Sequence, residues 1–383
     1  MRLPQGFLSS GVTAGFKPSG RPDLALIASR LPAAWAFVGT RNMAAAACVI
    51  RARALYASGA PLSAIIVNSG NANAVTGDSG READQAMAER AAETLGLEPG
   101  TVLTASTGVI GRLLPVDRLV VAVPLARMSL GDEVEPALAA IQTTDTREKK
   151  AERVLSNGAR IVGFAKGSGM IHPDMATMLG FILTDARVDE TTLRETFQGL
   201  VDRTFNAVTV DGDTSTNDMC VCLANGAAGP VPFQEFRNEL YEVMRDLARA
   251  VARDGEGADK LITVRVSGAP DDAAARRAAR LVAGSNLLKA AVHGNDPNWG
   301  RALAALGRSG LTFRPRDVSL NIQGVCVFDG APQAFDSAQV SAAMGAEEVV
   351  FEIGIRGSAR GTGEAWGCDL TAEYVSINSD YTT

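Results

Sequence analysis

The 383-residue sequence predicts an α+β fold in which mixed β-sheets are layered against α-helices. Two observations lead there. Amphipathic helical stretches and short β-branched runs succeed one another along the whole chain, and the segments beyond residue 260 favour strands. A third observation says what fills the layers: 46% of residues are hydrophobic but only 5% are aromatic, so the core is built mainly from Ala, Val, Leu and Ile. The length exceeds what one small core supports, which implies two domains or one elaborate one.

Taken in order, SAIIVN at 63–68 reads as a buried strand. GDSGREADQAMAERAAETLG at 77–96 reads as a helix, with Asp78 or Ser79 as N-cap and Gly96 as the stop. TVLTAS at 101–106 is strand-like. DETTLRETFQGLVDRTF at 189–205 is a helix that spaces Leu193, Phe197, Leu200 and Val201 along one face. Cys220 and Cys222, two apart in an apolar stretch, share one face of a strand. The clearest helix spans 233–255, where Phe236, Leu240, Met244, Leu247 and Val251 form an apolar stripe. LITVRV at 261–266, VSLNIQGVCVF at 318–328 and VFEIGIR at 350–356 are strands, the last alternating Phe351, Ile353 and Ile355. No internal repeat, low-complexity tract or long polar linker marks a domain border.

Composition removes several functional classes. A net charge of −6 and a pI near 5.2 speak against a nucleic-acid partner, which would need a basic stripe with interleaved aromatics. The longest apolar runs, such as LVVAVPLA at 119–126, fall far short of the roughly 20 residues of a membrane helix. The N-terminal MRLPQGFLSSGVTAGF carries no signal-peptide core, so a cytoplasmic location is expected. Five cysteines, odd in number and without a CxxC pair, signal neither a disulfide framework nor a thiolate zinc site.

Only two histidines exist, His172 and His293. A multi-histidine metal cage is therefore excluded, and no GxSxG elbow accompanies a Ser/His/Asp triad. The glycine clusters KGSGM at 166–170 and GTGEAWG at 361–367 match neither phosphate-binding pattern and read as tight turns or close backbone approaches. VDGDTSTND at 210–218 lacks the spacing of a calcium loop, so Asp211, Asp213 and Asp218 are read as turn-forming and no metal is expected. Threonine remains as a nucleophile. Polar knots also occur at NSGNANAVTG (68–77), TASTGVIG (104–111), TTDT (143–146), RDGEGADK (253–260) and INSDYTT (377–383). Each taken alone is an ordinary turn.

Taken in order, the knots resemble the ornithine acetyltransferases, the glutamate N-acetyltransferases of arginine biosynthesis. The resemblance runs nearly end to end: GVTAGFKPSGRPDLALI, NSGNANAVTG, ASTGVIGRLLP, TTDTREKK, AKGSGMIHPDMATMLGFILTDA, FNAVTVDGDTSTNDM, DGEGADKLI, DPNWGRALAALGR and EYVSINSDYTT. AWAFVGTRNMAAAACVI at 34–50 is the least typical segment.

The resemblance implies a self-processing fold and autocatalytic cleavage between Ala176 and Thr177. The products are an α chain of 1–176 and a β chain of 177–383 led by the nucleophile Thr177. A free N-terminal threonine carries its own base, because an α-amine titrates at roughly 7.7–8.0. Thr107 and Gly108 are implied as the oxyanion hole. Thr143 or Thr144, Lys166, Thr177, Glu256, Asn378 and Thr383 are implied as substrate-binding. Gly167, Gly169 and Pro173 flank the cut. The implied reaction moves acetyl from N-acetylornithine to glutamate with no cofactor and no metal. Some related enzymes also take acetyl from acetyl-CoA, and no residue here decides that point. The implied assembly is α2β2. Rival readings are a self-processing amidase or aminopeptidase, in which water replaces glutamate, and an unprocessed metabolite-binding protein.

Overall fold

The computed structural model describes residues 1–172 and 178–380. Its strands are β1 (Phe7–Val12), β2 (Leu24–Gly39), β3 (Leu62–Asn71), β4 (Val102–Val109), β5 (Lys149–Val154), β6 (Arg160–Lys166), β7 (Leu179–Arg187), β8 (Met219–Pro230), β9 (Leu261–Ala269), β10 (Val318–Ile322), β11 (Val325–Asp329), β12 (Glu348–Ile355) and β13 (Gly361–Cys368). They form two mixed sheets. The first has eight strands in the order β4-β3-β2-β8-β7-β6-β5, with β1 also paired to β2; the second has five, in the order β11-β10-β12-β9-β13. In the first sheet β3 and β4 run parallel, as do β7 and β8, while β2 pairs antiparallel with β1, β3 and β8. The sixteen-residue β2 thereby joins both halves of the sheet.

Pleat alternation sends successive residues of β7 and β8 into different cores. Leu179, Phe181 and Leu183 of β7, with Met219, Val221 and Leu223 of β8, face a cluster shared with Trp35, Phe37, Phe164 and the helix Ala47–Ser58. Ile182, Cys220 and Cys222 face the other side, a larger cluster shared with the helices Glu190–Arg203 and Phe233–Arg253 and with the second sheet. Cys220 and Cys222 do share a face, and all five cysteines are free thiols. A third, smaller cluster lies where the helices Gly77–Leu95 and Leu119–Met128 cover Leu24, Leu26, Ala64 and Ile66.

The helices follow their periodicity. Phe236, Leu240, Met244 and Leu247 are fully buried along Phe233–Arg253, and Asp189 caps Glu190–Arg203 by accepting the Thr192 N–H at 3.0 Å. Three expectations are corrected. The helix at 77–95 starts ahead of Asp78 and Ser79, with Thr76 at the N-cap position and its hydroxyl turned to Asn73. VSLNIQGVCVF is a hairpin rather than one strand: Gln323 (φ 49°) and Gly324 (φ 78°) sit in the left-handed region that a two-residue turn requires. GTGEAWG is not a turn but β13, paired antiparallel with β9. No helix among the described residues is long and apolar enough to cross a membrane.

Candidate active site

The buried strand β4 delivers Thr107 and Gly108 at its end, in register with Ser69 and Gly70 of β3. Gly108 has φ 129°, and a Cβ there would lie 2.3 Å from the Gly70 carbonyl carbon, so the close pairing admits only glycine. NSGNANAVTG is the scaffold beneath. Asn68 accepts the Ser106 hydroxyl at 2.6 Å, and the Asn217 amide donates to the Ala72 and Ser106 carbonyls at 2.6 and 2.9 Å.

Strand β6 ends at Lys166, paired in register with Leu179 of β7. From there the KGSGM loop is fixed by two carboxylates and by the backbone of a third segment. Asp145 accepts the Gly167 N–H at 2.7 Å, and Asp211 accepts the Met170 and Ile171 N–H groups at 2.6 and 2.8 Å. The Ser168 hydroxyl donates to the Asp254 carbonyl at 2.6 Å, and the Glu256 N–H donates to the Ser168 carbonyl at 3.1 Å. These bonds hold Met170 at φ 55°, a costly conformation for a side chain with a Cβ. Gly169 lies under Glu256, and a Cβ on it would meet that carboxylate at 2.3 Å.

Beneath the loop, Lys149 is fully buried between Asp145 at 2.6 Å and Asp254 at 2.5 Å. Burial alone would raise the Asp145 carboxyl, but Lys149, Lys166 and the Gly167 N–H outweigh it and hold the group below its ordinary value. Burial lowers the Lys166 ammonium from its usual range, against the pull of Asp145, Asp218 and Glu256. Lys17, in GFKPSGRPD, is lowered to about 8 by burial, with Arg21 adding to the effect. Burial raises Asp211. At the C-terminal end, the Asn378 amide donates to Glu256 at 2.9 Å.

Thr107, Gly108, Thr143, Thr144, Lys166, Glu256 and Asn378 all line a single cavity of about 240 Å³. Ala176 and Thr177 at the expected cut, Pro173 beside it, and Thr383 lie outside the described residues. The same walls include Met170, Asp211, Asn217, Asp218 and Tyr374, which the sequence reading did not assign to the site although every one sits inside a quoted motif. His293 is elsewhere, exposed and 3.1 Å from Asp369, while His172 meets the Thr209 hydroxyl at 2.9 Å.

The model of the ArgJ family matches residues 8–383. The chain belongs to the ArgJ family. Among its relatives is the arginine biosynthesis bifunctional protein ArgJ of Deinococcus radiodurans, 57% identical over 100% of this chain and 98% of that one. The protein of the same name from Thermus thermophilus is 56% identical over the full length of both. A crystal structure of the ArgJ protein from Bacillus halodurans, 40% identical, superimposes with a TM-score of 0.52 and covers 54% of this chain and 100% of that one. The ArgJ assignment bears out the family resemblance, and the two mixed sheets with their helical layers bear out the α+β reading.

Proposed function

We propose that this chain is a glutamate N-acetyltransferase, an acyltransferase of arginine biosynthesis that moves acetyl from N2-acetyl-L-ornithine to L-glutamate through an acetyl-Thr177 ester. The observation that carries this reading is the convergence of seven residues from five separate motifs on one cavity. Their chemistry suits the reaction. Both substrates are α-carboxylates, for which Lys166 is a cation, and Glu256 is an anion for an ammonium group.

The chain first cuts itself between Ala176 and Thr177: an N to O acyl shift moves the Ala176 carbonyl from the Thr177 nitrogen to its hydroxyl oxygen, and water then hydrolyses that ester, leaving a carboxylate on Ala176 and a free α-amine on Thr177. The new α-amine of Thr177 then takes the hydroxyl proton, directly or through water. Thr177 attacks the acetyl carbonyl, and the Thr107 hydroxyl and Gly108 N–H receive the oxyanion. Ornithine leaves, and the glutamate amine attacks the ester. The cavity lies below the roughly 300–1,000 Å³ of pockets for drug-sized ligands, which suits substrates that enter one after the other. Cleavage draws support from chain length: residues 177–383 make up 54% of the chain, the share matched by the whole Bacillus halodurans chain. The working form is an α2β2 assembly, and acetyl-CoA serves as a second donor, which fits the word bifunctional in the relatives' name.

The test is acceptor dependence. Purified protein with N-acetylornithine releases ornithine at a rate set by glutamate, and acetylated β chain accumulates when glutamate is withheld. Equal ornithine release without glutamate would assign the chain to the amidases instead.

A further inference from the structure

His293 and the carboxylates around it take no part in the catalytic cavity. Three separate segments meet at this corner of the molecule. Asp259 stands just ahead of β9, His293 ends the helix Asn286–His293, and Asp369 follows β13. The imidazole Nδ1 lies 3.1 Å from Asp369 Oδ2 and 3.8 Å from Asp259 Oδ2. One ligand atom from each of the three residues falls within 4.8 Å of the other two.

Two further observations mark the corner as a place for a cation. The Asp369 side chain is fully buried; its Oδ1 accepts the Asp259 and Lys260 N–H groups, both at 2.9 Å, and its Oδ2 turns to His293. Among the described residues, no lysine or arginine forms an ion pair with Asp369 or Asp259. Lys260, adjacent in sequence, sends its ammonium instead to the Val292 carbonyl at 3.0 Å and to the Asn295 side chain. A buried carboxylate without a permanent positive partner is costly. The corner also lies at the C-terminus of Asn286–His293, where the helix carbonyls add negative potential.

The donor set selects the ion. One imidazole with two carboxylates suits zinc better than magnesium or calcium, which prefer oxygen ligands alone. Ligand atoms about 2.1 Å from a tetrahedral zinc ion stand roughly 3.4 Å apart. The observed 3.1 and 3.8 Å bracket that spacing, and the exposed Asp259 side chain has room to adjust.

We propose that Asp259, His293 and Asp369 bind one zinc-class divalent cation, which clamps the root of the helix Ala372–Asp380. That helix begins just beyond Asp369 and carries Tyr374 and Asn378 into the wall of the catalytic cavity. Its root already holds the segment that bears Glu256, because the Thr371 hydroxyl donates to the Gly257 carbonyl at 2.7 Å. A cation joining Asp369 to Asp259 fastens the same two segments a second time. The ion thus acts on the shape of the cavity without touching what binds there, and the site stands whichever reaction the cavity performs.

The experiment is calorimetric titration of untagged, chelator-treated full-length protein with zinc chloride, alongside thermal melts in zinc or magnesium. D259N, H293Q and C326S are compared with the parent; all three positions are exposed, so the variants keep the fold, and Cys326 is the exposed thiol that competes for zinc. Asp369 is left intact because it also holds two backbone N–H groups. The expected result is one zinc ion per chain and a melting temperature that rises with zinc concentration. Affinity should fall about tenfold or more in D259N and in H293Q and stay at the parent's value in C326S. Amide exchange across residues 372–380 should slow with zinc in the parent and not in H293Q. Absence of zinc binding, equal affinity in D259N and H293Q, loss of binding in C326S alone, or equal stabilisation by magnesium overturns the site. Unchanged amide exchange in the zinc-bound parent overturns the clamp.

Discussion

At the residue scale, Thr107 offers the most direct test of oxyanion stabilisation. Thr107→Ala should lower kcat by about 10²–10³ with little change in KM, measured as glutamate-dependent ornithine release. Gly169→Ala should fold yet bind substrate poorly, because its Cβ must displace the Glu256 carboxylate; a KM equal to the parent's would refute the close approach. Lys149→Met leaves Asp145 and Asp254 buried without their cation, so a loss of about 3–5 kcal/mol in denaturant unfolding is expected. The candidate site was legible in the sequence to the extent that motif order marked Thr107, Thr143, Thr144, Lys166, Glu256 and Asn378. Lys149 was not legible as a buried cation. A lysine in TTDTREKK looks like any solvated charge, and only the fold brings Asp254, more than a hundred residues away, to within bonding distance. Tyr374 was missed because a lone aromatic in a C-terminal helix gives no sign of the cavity it faces.

At the scale of elements, the helix Gly77–Leu95 carries an unusual charge. Asp84 is 1% exposed, and burial raises its carboxyl to about 6, against the opposing effects of Thr104 and Arg51. The folded state thus holds this proton more tightly than the unfolded chain, whose aspartate titrates near 3.8. Stability from this group is fully present below the unfolded value and is lost as pH rises through about 6. Asp84→Asn should therefore raise the free energy of unfolding at pH 8 by an amount on the order of 3 kcal/mol, and leave it unchanged near pH 3. An equal effect at both pH values would show that packing rather than ionisation is responsible. Elements with a strong period, such as Phe233–Arg253, were legible because the 3.6-residue spacing alone defines the buried face. The hairpin at Gln323–Gly324 was not: a glutamine at positive φ sends no turn signal, and the flanking alternation fits one strand or two. Nor does any local pattern say that β2 serves both halves of its sheet, since pairing partners far apart in sequence leave no periodic trace.

At the scale of the whole molecule, Thr177→Ala should migrate as one chain of 39.9 kDa and lack activity, while the parent yields two fragments with threonine leading the second. A cut variant would overturn the nucleophile. The expected cut falls in the connection between β6 and β7, which are neighbours in the same antiparallel ladder, and β2 pairs with β8 across the same division. Scission there would leave two polypeptides sharing one sheet, with six strands from the first and two from the second. Unfolding then changes molecularity. The uncut Thr177→Ala chain loses structure in a unimolecular step, whereas the processed protein releases separate partners that must find each other again. Its melting temperature should rise with protein concentration at a fixed assembly state, and refolding after separation should be slow and incomplete. The precursor would refold with a tether that a cut enzyme would have irreversibly lost, so scission at that connection would exchange reversible folding for kinetic persistence.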